Sequence, residues 1–140
     1  MCGIAGIVST APVDAEAVKA MQEALRHRGP DDEGFYLSKD RRAALAHRRL
    51  SIIDLTSAGR QPMAAPEDRL QGTYNGEVYN FQELRRHLEA SGVEFSSRTD
   101  TETVLAALAR RGARGLDEFR GMFALGTWDE RNRELFLARD

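Results

Sequence analysis

The sequence predicts an α+β fold, with strands and capped helices layered around one core. Two observations carry that prediction. Strand-length apolar segments outnumber segments of helical spacing, and the helical segments come in pairs with strands between them. The signatures Asn80…Glu83 and Thr99…Glu102 each mark a helix start of the capping-box kind. At 140 residues, 41% hydrophobic and 30% charged, the chain suits a single soluble domain spanning residues 1–140.

The elements follow in order. Residues 4–8 are small and branched apolar residues, a short strand near the amino terminus. Ala17, Val18, Met21, Ala24 and Leu25 then fall on one helical face, with Asp14 as N-cap and Gly29-Pro30 as the stop. Asp31-Asp32-Glu33-Gly34 is expected to be a loop. Phe35–Leu37, Ala43–His47 and Leu50–Ile53 are expected strands separated by charged turns. Gly59-Arg60-Gln61-Pro62 and Ala65-Pro66-Glu67-Asp68 break the pattern around an irregular segment. Leu70–Tyr74 is strand-like and runs into Asn75-Gly76. A helix capped by Asn80 places Phe81, Leu84 and Leu88 on one face and stops at Gly92. A short strand is expected around Val93–Phe95. The helix after Thr99 buries Val104, Leu105 and Leu108 and stops at Gly112. Met122–Trp128 and Glu134–Ala138 flank residues 129–133 as a β-hairpin with a five-residue loop.

Composition excludes several classes. With 20 Lys+Arg against 22 Asp+Glu there is no basic footprint for nucleic acid. No apolar stretch approaches the ~20 residues that span a membrane. The amino terminus lacks the basic and apolar regions of a secretory signal. A single cysteine forms no internal disulfide and no cysteine-based zinc site, and the cytoplasm is the default compartment. His27, His47 and His87 have no metal-like spacing, so no metal site is expected. Trp128 and the phenylalanines are expected in the core, and Arg85-Arg86 and Arg110-Arg111 on solvated helix faces.

Four places could carry chemistry. Cys2 would expose both a thiol and a free α-amine after loss of Met1. An amine of ordinary pKa ~7.7–8.0 can serve as general base for its own thiol. The plain alternative is a small buried hydrophobe. Asn75-Gly76 is either a tight hairpin turn or a pair of uncharged donors for an oxyanion, one from the side-chain amide and one from the backbone. Arg49 could grip a carboxylate, or belong to a solvated cluster at a turn. Asp100 could hold an ammonium, or simply complement the helix dipole.

Taken in order, the motifs resemble those of class II glutamine amidotransferases. They are Met1-Cys2-Gly3-Ile4-Ala5-Gly6, Arg26-His27-Arg28-Gly29-Pro30-Asp31 and His47-Arg48-Arg49-Leu50-Ser51-Ile52-Ile53-Asp54. Gly59-Arg60-Gln61-Pro62-Met63, Tyr74-Asn75-Gly76-Glu77-Val78-Tyr79-Asn80, Thr99-Asp100-Thr101-Glu102 and Arg120-Gly121-Met122-Phe123-Ala124 continue the series. The spacing is similar to the glutaminase domain of asparagine synthetases in particular. The resemblance implies an N-terminal-nucleophile hydrolase fold, an αββα sandwich of two antiparallel sheets. It implies attack on glutamine by Cys2, with Asn75 and Gly76 holding the oxyanion. Arg49 would take the α-carboxylate, Asp100 and Glu77 the α-ammonium, and the backbone of Leu50, Ser51, Ile52 and Ile53 would line the pocket.

The chain stops at Leu137-Ala138-Arg139-Asp140, where that family continues with closing strands and a synthetase domain. A fragment is therefore expected, needing no cofactor of its own. ATP and Mg would belong to the absent synthetase domain, which would take the ammonia for asparagine synthesis from aspartate. The alternatives are an inactive or merely glutamine-binding remnant, and an amidotransferase domain serving another acceptor.

Overall fold

A computed structural model describes residues 1–51, 57–66 and 69–140. In chain order the elements are β1 (Gly3–Val8), α1 (Ala15–Ala24), β2 (Asp32–Leu37), β3 (Ala43–Arg49), β4 (Met63–Ala64), β5 (Leu70–Val78), α2 (Phe81–Ala90), α3 (Asp100–Arg111), β6 (Gly121–Asp129) and β7 (Glu134–Arg139). Short 3-10 turns cover Arg26–Arg28, Ser57–Gly59 and Gly112–Glu118. Two antiparallel sheets form, ordered β1-β3-β2 and β4-β5-β6-β7. They meet where β1 and β3 lie against β5, with α1 outside the first sheet and α2 and α3 outside the second. This is the αββα layering expected.

Strand alternation sorts the side chains between layers. On β3, Ala44 and Ala46 pack outward with Val18 of α1, while Ala43 and Leu45 pack inward with Trp128 of β6. On β5, Leu70, Tyr74 and Val78 face the helices and join Leu84, Val104, Leu105 and Leu108 in the main core. Thr73 faces the other way and meets His47 across the gap between sheets. Gly72 is required by the fit, since a Cβ there would lie 2.2 Å from Leu105 Cδ2.

Several local expectations change. Met21 and Ala24 are exposed, and Gln22 takes the buried place beside Val18. Its amide donates to the carbonyls of Gly34 (2.6 Å) and His47 (3.1 Å), so a polar residue satisfies buried backbone there. The acidic run is not all loop. β2 starts at Asp32, because Asp32 and Glu33 lie opposite Arg49 and Arg48, and Glu33 pairs with Arg48. β3 extends through Arg49, whereas Leu50 and Ser51 have no regular structure; Ile52 and Ile53 lie outside the described residues.

Asn80 precedes α2, but its side chain makes no capping bond. It donates to the Glu118 carbonyl (2.9 Å) and accepts from the Arg120 N–H (3.0 Å) instead. No strand forms at Val93–Phe95. Val93 is held by its side chain among Leu88, Ala106 and Ala107, and Phe95 lies 4.2 Å beneath the Arg85 guanidinium. Arg85 is therefore half-sheltered rather than solvated. In the β6–β7 hairpin Asp129 pairs with Glu134, leaving residues 130–133 as the loop. The Asp129 carboxylate folds that loop by accepting from the N–H groups of Arg131 (2.9 Å) and Asn132 (2.8 Å).

Candidate active site

The amino-terminal end of β1 and the carboxy-terminal end of β3 open on the same side of the molecule. A cavity of about 530 Å³ lies there, lined by Cys2, Arg49, Leu50, Gly59, Gln61, the Tyr74–Glu77 run of β5 and the first turn of α3. Met122, Phe123 and Ala124 of β6 close another wall. Met1, 70% exposed, stands at its edge.

Cys2 is half-buried, and its Sγ accepts from the Leu50 N–H at 3.4 Å. Arg28 donates through Nε to the Cys2 carbonyl at 3.0 Å, so the residue is gripped from both ends. Arg28 gains this reach from the 3-10 turn that ends at Gly29. Gly29 admits no side chain, because a Cβ would sit 2.4 Å from the Arg48 carbonyl. Asp31 accepts from the Ser51 N–H at 2.9 Å and fixes the chain leaving β3.

The period of two on β3 separates two adjacent arginines. Arg48 points outward, donates to the Gln22 carbonyl, and pairs with Glu23 and Glu33. Arg49 points inward, is 7% exposed, and lies on Gly59, where a Cβ would come 2.1 Å from its Nη2. Arg49 is thus in a cavity wall rather than in a solvated cluster at a turn.

Asn75 and Gly76 lie inside β5, opposite Ala124 and Phe123 of β6, so they do not form a hairpin turn. Beyond β4 the outer edge of β5 is uncovered by any other described strand. Two of its donors are taken by side chains: the Tyr74 N–H by Gln61 Oε1 (2.7 Å) and the Val78 N–H by Asp100 Oδ2 (3.1 Å). Ladder alternation puts the Gly76 N–H on the same edge between them. No described side chain takes it. Gly76 also has no room for a side chain, since a Cβ would lie 2.3 Å from the Met122 carbonyl oxygen.

Asp100 is 5% exposed and accepts from the Tyr74 hydroxyl at 2.9 Å as well as from Val78. Burial raises its pKa above the usual carboxylate value, although those two hydrogen bonds oppose the rise. Its role therefore exceeds complementing a helix dipole. At the same helix end Thr99 caps through the Glu102 N–H (3.2 Å). Glu102 does not complete a capping box. Its carboxylate takes the N–H and hydroxyl groups of Ser96 and Ser97 at 2.7–2.8 Å. Burial raises its pKa, but these bonds outweigh burial and leave it lowered.

The cavity thus gathers Cys2, Arg49, Leu50, Asn75, Gly76, Glu77 and Asp100 from the sequence candidates. Ser51 is beside it but not in its wall, and Ile52 and Ile53 lie outside the described residues. Sequence reasoning gave no individual role to Gln61, Tyr74, Thr101 or Arg28. Gln61 was visible only as part of a breaker segment and of a family motif, and Arg28 only within a motif.

Among the described residues no cluster of three His, Cys, Asp or Glu is placed to hold a metal. No described helix is long and apolar enough to cross a membrane.

The family model for a glutamine amidotransferase domain matches residues 1–140. Asparagine synthetase [glutamine-hydrolyzing] 1 of Bacillus subtilis (strain 168) is 37% identical over 145 residues, covering 100% of this chain and 22% of that protein. Amidase chry2 of Gibberella zeae is 34% identical over 152 residues, again covering 100% of this chain and 22% of the relative. The chain therefore spans about a fifth of the length of these two relatives. Among solved structures, glutamine phosphoribosylpyrophosphate amidotransferase from B. subtilis superposes with a TM-score of 0.81 at 19% identity, over 98% of this chain and 37% of that one. That likeness establishes the shared fold. With its whole length matched by the family and its layers matched by that structure, the chain belongs to the glutamine amidotransferase domain family.

Proposed function

We propose that this domain hydrolyses glutamine to glutamate and ammonia through a thioester on Cys2. The observation that carries the reading is that one cavity holds a thiol, two uncharged donors, a buried guanidinium and a buried carboxylate. These are the groups an amino-acid amide requires.

Arg49 takes the substrate α-carboxylate, and Asp100 with Glu77 takes the α-ammonium. Once Met1 is removed, the Cys2 amine accepts the thiol proton as sulfur attacks the side-chain amide carbon. The carbonyl oxygen becomes an oxyanion held by the Asn75 amide and the Gly76 N–H. The C–N bond breaks as the amine returns its proton to the leaving nitrogen, giving ammonia. Water then attacks the thioester, sulfur leaves, and glutamate is released. Leu50 contributes to the pocket wall beside Cys2.

The test is glutamate release by the chain with an untagged, Met1-free terminus beside a Cys2→Ala control. Release that disappears in the control supports the reading. A folded, processed chain that releases none, and is not labelled at Cys2 by a glutamine-like electrophile, sinks it.

The ammonia is destined for asparagine synthesis from aspartate in an ATP-dependent, Mg-requiring domain or subunit outside these residues. The similarity to an asparagine synthetase over the whole chain supports this use. The second reading is a different acceptor, since a relative of similar identity is named an amidase rather than an asparagine synthetase. Amide-labelled glutamine given to cells carrying this protein decides between them: label in asparagine supports the first, and label confined to another amide overturns it.

A further inference from the structure

Gln61 lies in the wall of the cavity but touches no reacting atom in the steps above. It is 5% exposed, and both ends of its carboxamide are committed. Oε1 accepts from the Tyr74 N–H at 2.7 Å, and Nε2 donates to Thr101 Oγ1 at 3.3 Å. One side chain therefore fastens the uncovered edge of β5 to the first turn of α3. Asp100, the neighbour of Thr101, makes a second fastening four residues further along at the Val78 N–H, and also accepts from the Tyr74 hydroxyl.

The two attachments bracket Gly76. Alternate N–H groups of an extended strand point to the same edge, at positions 74, 76 and 78. The first is held by Gln61 and the third by Asp100, so the middle donor is presented from a segment fixed on both sides. Without Gln61 the edge at Tyr74 would lose its only fastening from the Gly59–Pro62 side among the described residues. A buried N–H would also be left without an acceptor.

We infer that Gln61 is a positioning residue that aims the Gly76 N–H at the oxyanion and ties that donor to the helix turn carrying Asp100. This rests on the glutaminase reading and goes beyond it. The attachment acts on the donor that strengthens as charge develops, so its loss falls on the chemical step rather than on substrate capture.

The test uses Gln61→Met in the Met1-free chain, a substitution that keeps volume and removes both hydrogen bonds. The expected kcat for glutamate release falls about 10- to 100-fold, with KM changed less than about 3-fold. Alkylation of Cys2 by iodoacetamide, a displacement that develops no oxyanion, stays within about 2-fold of the unsubstituted rate. Unchanged kcat overturns the inference. So does alkylation that falls in step with kcat, since that outcome places the damage at the thiol. Amide hydrogen exchange across residues 74–78 supplies a readout independent of turnover. Exchange at Tyr74 and Val78 about 10-fold faster in Gln61→Met supports the inference, and unchanged exchange overturns it. A folded parent chain that releases no glutamate and is not labelled at Cys2 by a glutamine-like electrophile would sink the glutaminase reading, while the exchange comparison still decides the role of Gln61 in fixing the edge.

Discussion

Among the described residues His47 is the titratable side chain most enclosed by the fold, 1% exposed between the sheets with Nδ1 3.0 Å from Thr73 Oγ1. Burial lowers its pKa from 6.5 to about 4, and the positive charge of Arg49 adds to the effect. The folded form therefore takes up a proton less readily than the unfolded form. Its contribution to stability is complete above pH 6.5 and is lost as pH falls toward 4, amounting to about 3 kcal/mol across that window. Thermal melts between pH 7 and pH 5 should show a fall in midpoint that is markedly smaller in His47→Leu. Equal falls in both proteins would remove His47 from the account. At the same scale, the sequence disclosed residues whose chemistry is unusual in itself, such as Cys2 beside a removable Met1. It did not disclose Gln61 or Arg28, whose importance is purely relational. An amide or guanidinium in a Gly/Pro-rich stretch looks like any surface polar group until the fold brings Tyr74 or Cys2 to it.

At the scale of elements, β5 is the clearest case of local pattern losing to pairing. Asn-Gly favours a turn in isolation, yet β6 pairs with every residue from Leu70 to Val78 and carries the strand through it. The price of that continuity is space at Gly76. Gly76→Ala should destabilise the chain by about 1–3 kcal/mol and lower glutamate release well beyond any loss of folded protein. Denaturant titration alongside a rate per folded molecule measures both, and a neutral alanine would contradict the contact with Met122. The start of α3 makes a related point. Thr99 was legible as a cap, but Glu102 serves the preceding Ser96–Ser97 segment rather than a reciprocal capping box. Its folded pKa is lowered, so its stabilisation is present above the ordinary glutamate range and lost as pH falls below it. Glu102→Gln should cost about 1–3 kcal/mol at pH 7, and progressively less only as pH falls below the ordinary glutamate value of 4.5. A cost that does not shrink on acidification would argue against the charge. Val93–Phe95 failed as a strand because branched and aromatic residues can be buried by side-chain contacts alone.

For the whole molecule, the two sheets are joined by polar as well as apolar contacts. Thr73 meets His47 near the middle, Tyr36 donates to Glu130 at one end, and Trp128 packs on Ala43 and Leu45. Because both helix layers rest on these shared sheets, thermal unfolding should be one cooperative transition, followed equally by Trp128 fluorescence and far-UV dichroism. Separate midpoints would show that the layers melt independently. The α+β class was legible because helices and strands are announced by period and caps, whereas the two-sheet sandwich followed from the resemblance of the ordered motifs to class II glutamine amidotransferases. Which strands neighbour one another was not, since the pairing β1-β3-β2 depends on contacts far apart in sequence.

Arg49 and Asp100 are supplied by different layers, one by a strand of the first sheet and the other by a helix packed on the second. On the proposed reading they fix the substrate α-carbon, while Cys2 fixes the sulfur from a third element. The cavity then measures side-chain length like a ruler. Asparagine, one methylene shorter, should occupy both charged contacts yet hold its amide carbon short of the thiol. It should therefore inhibit competitively and be cleaved at least about 100-fold less efficiently than glutamine. Selection of this kind is made by reach, without any group devoted to telling one amide from the other.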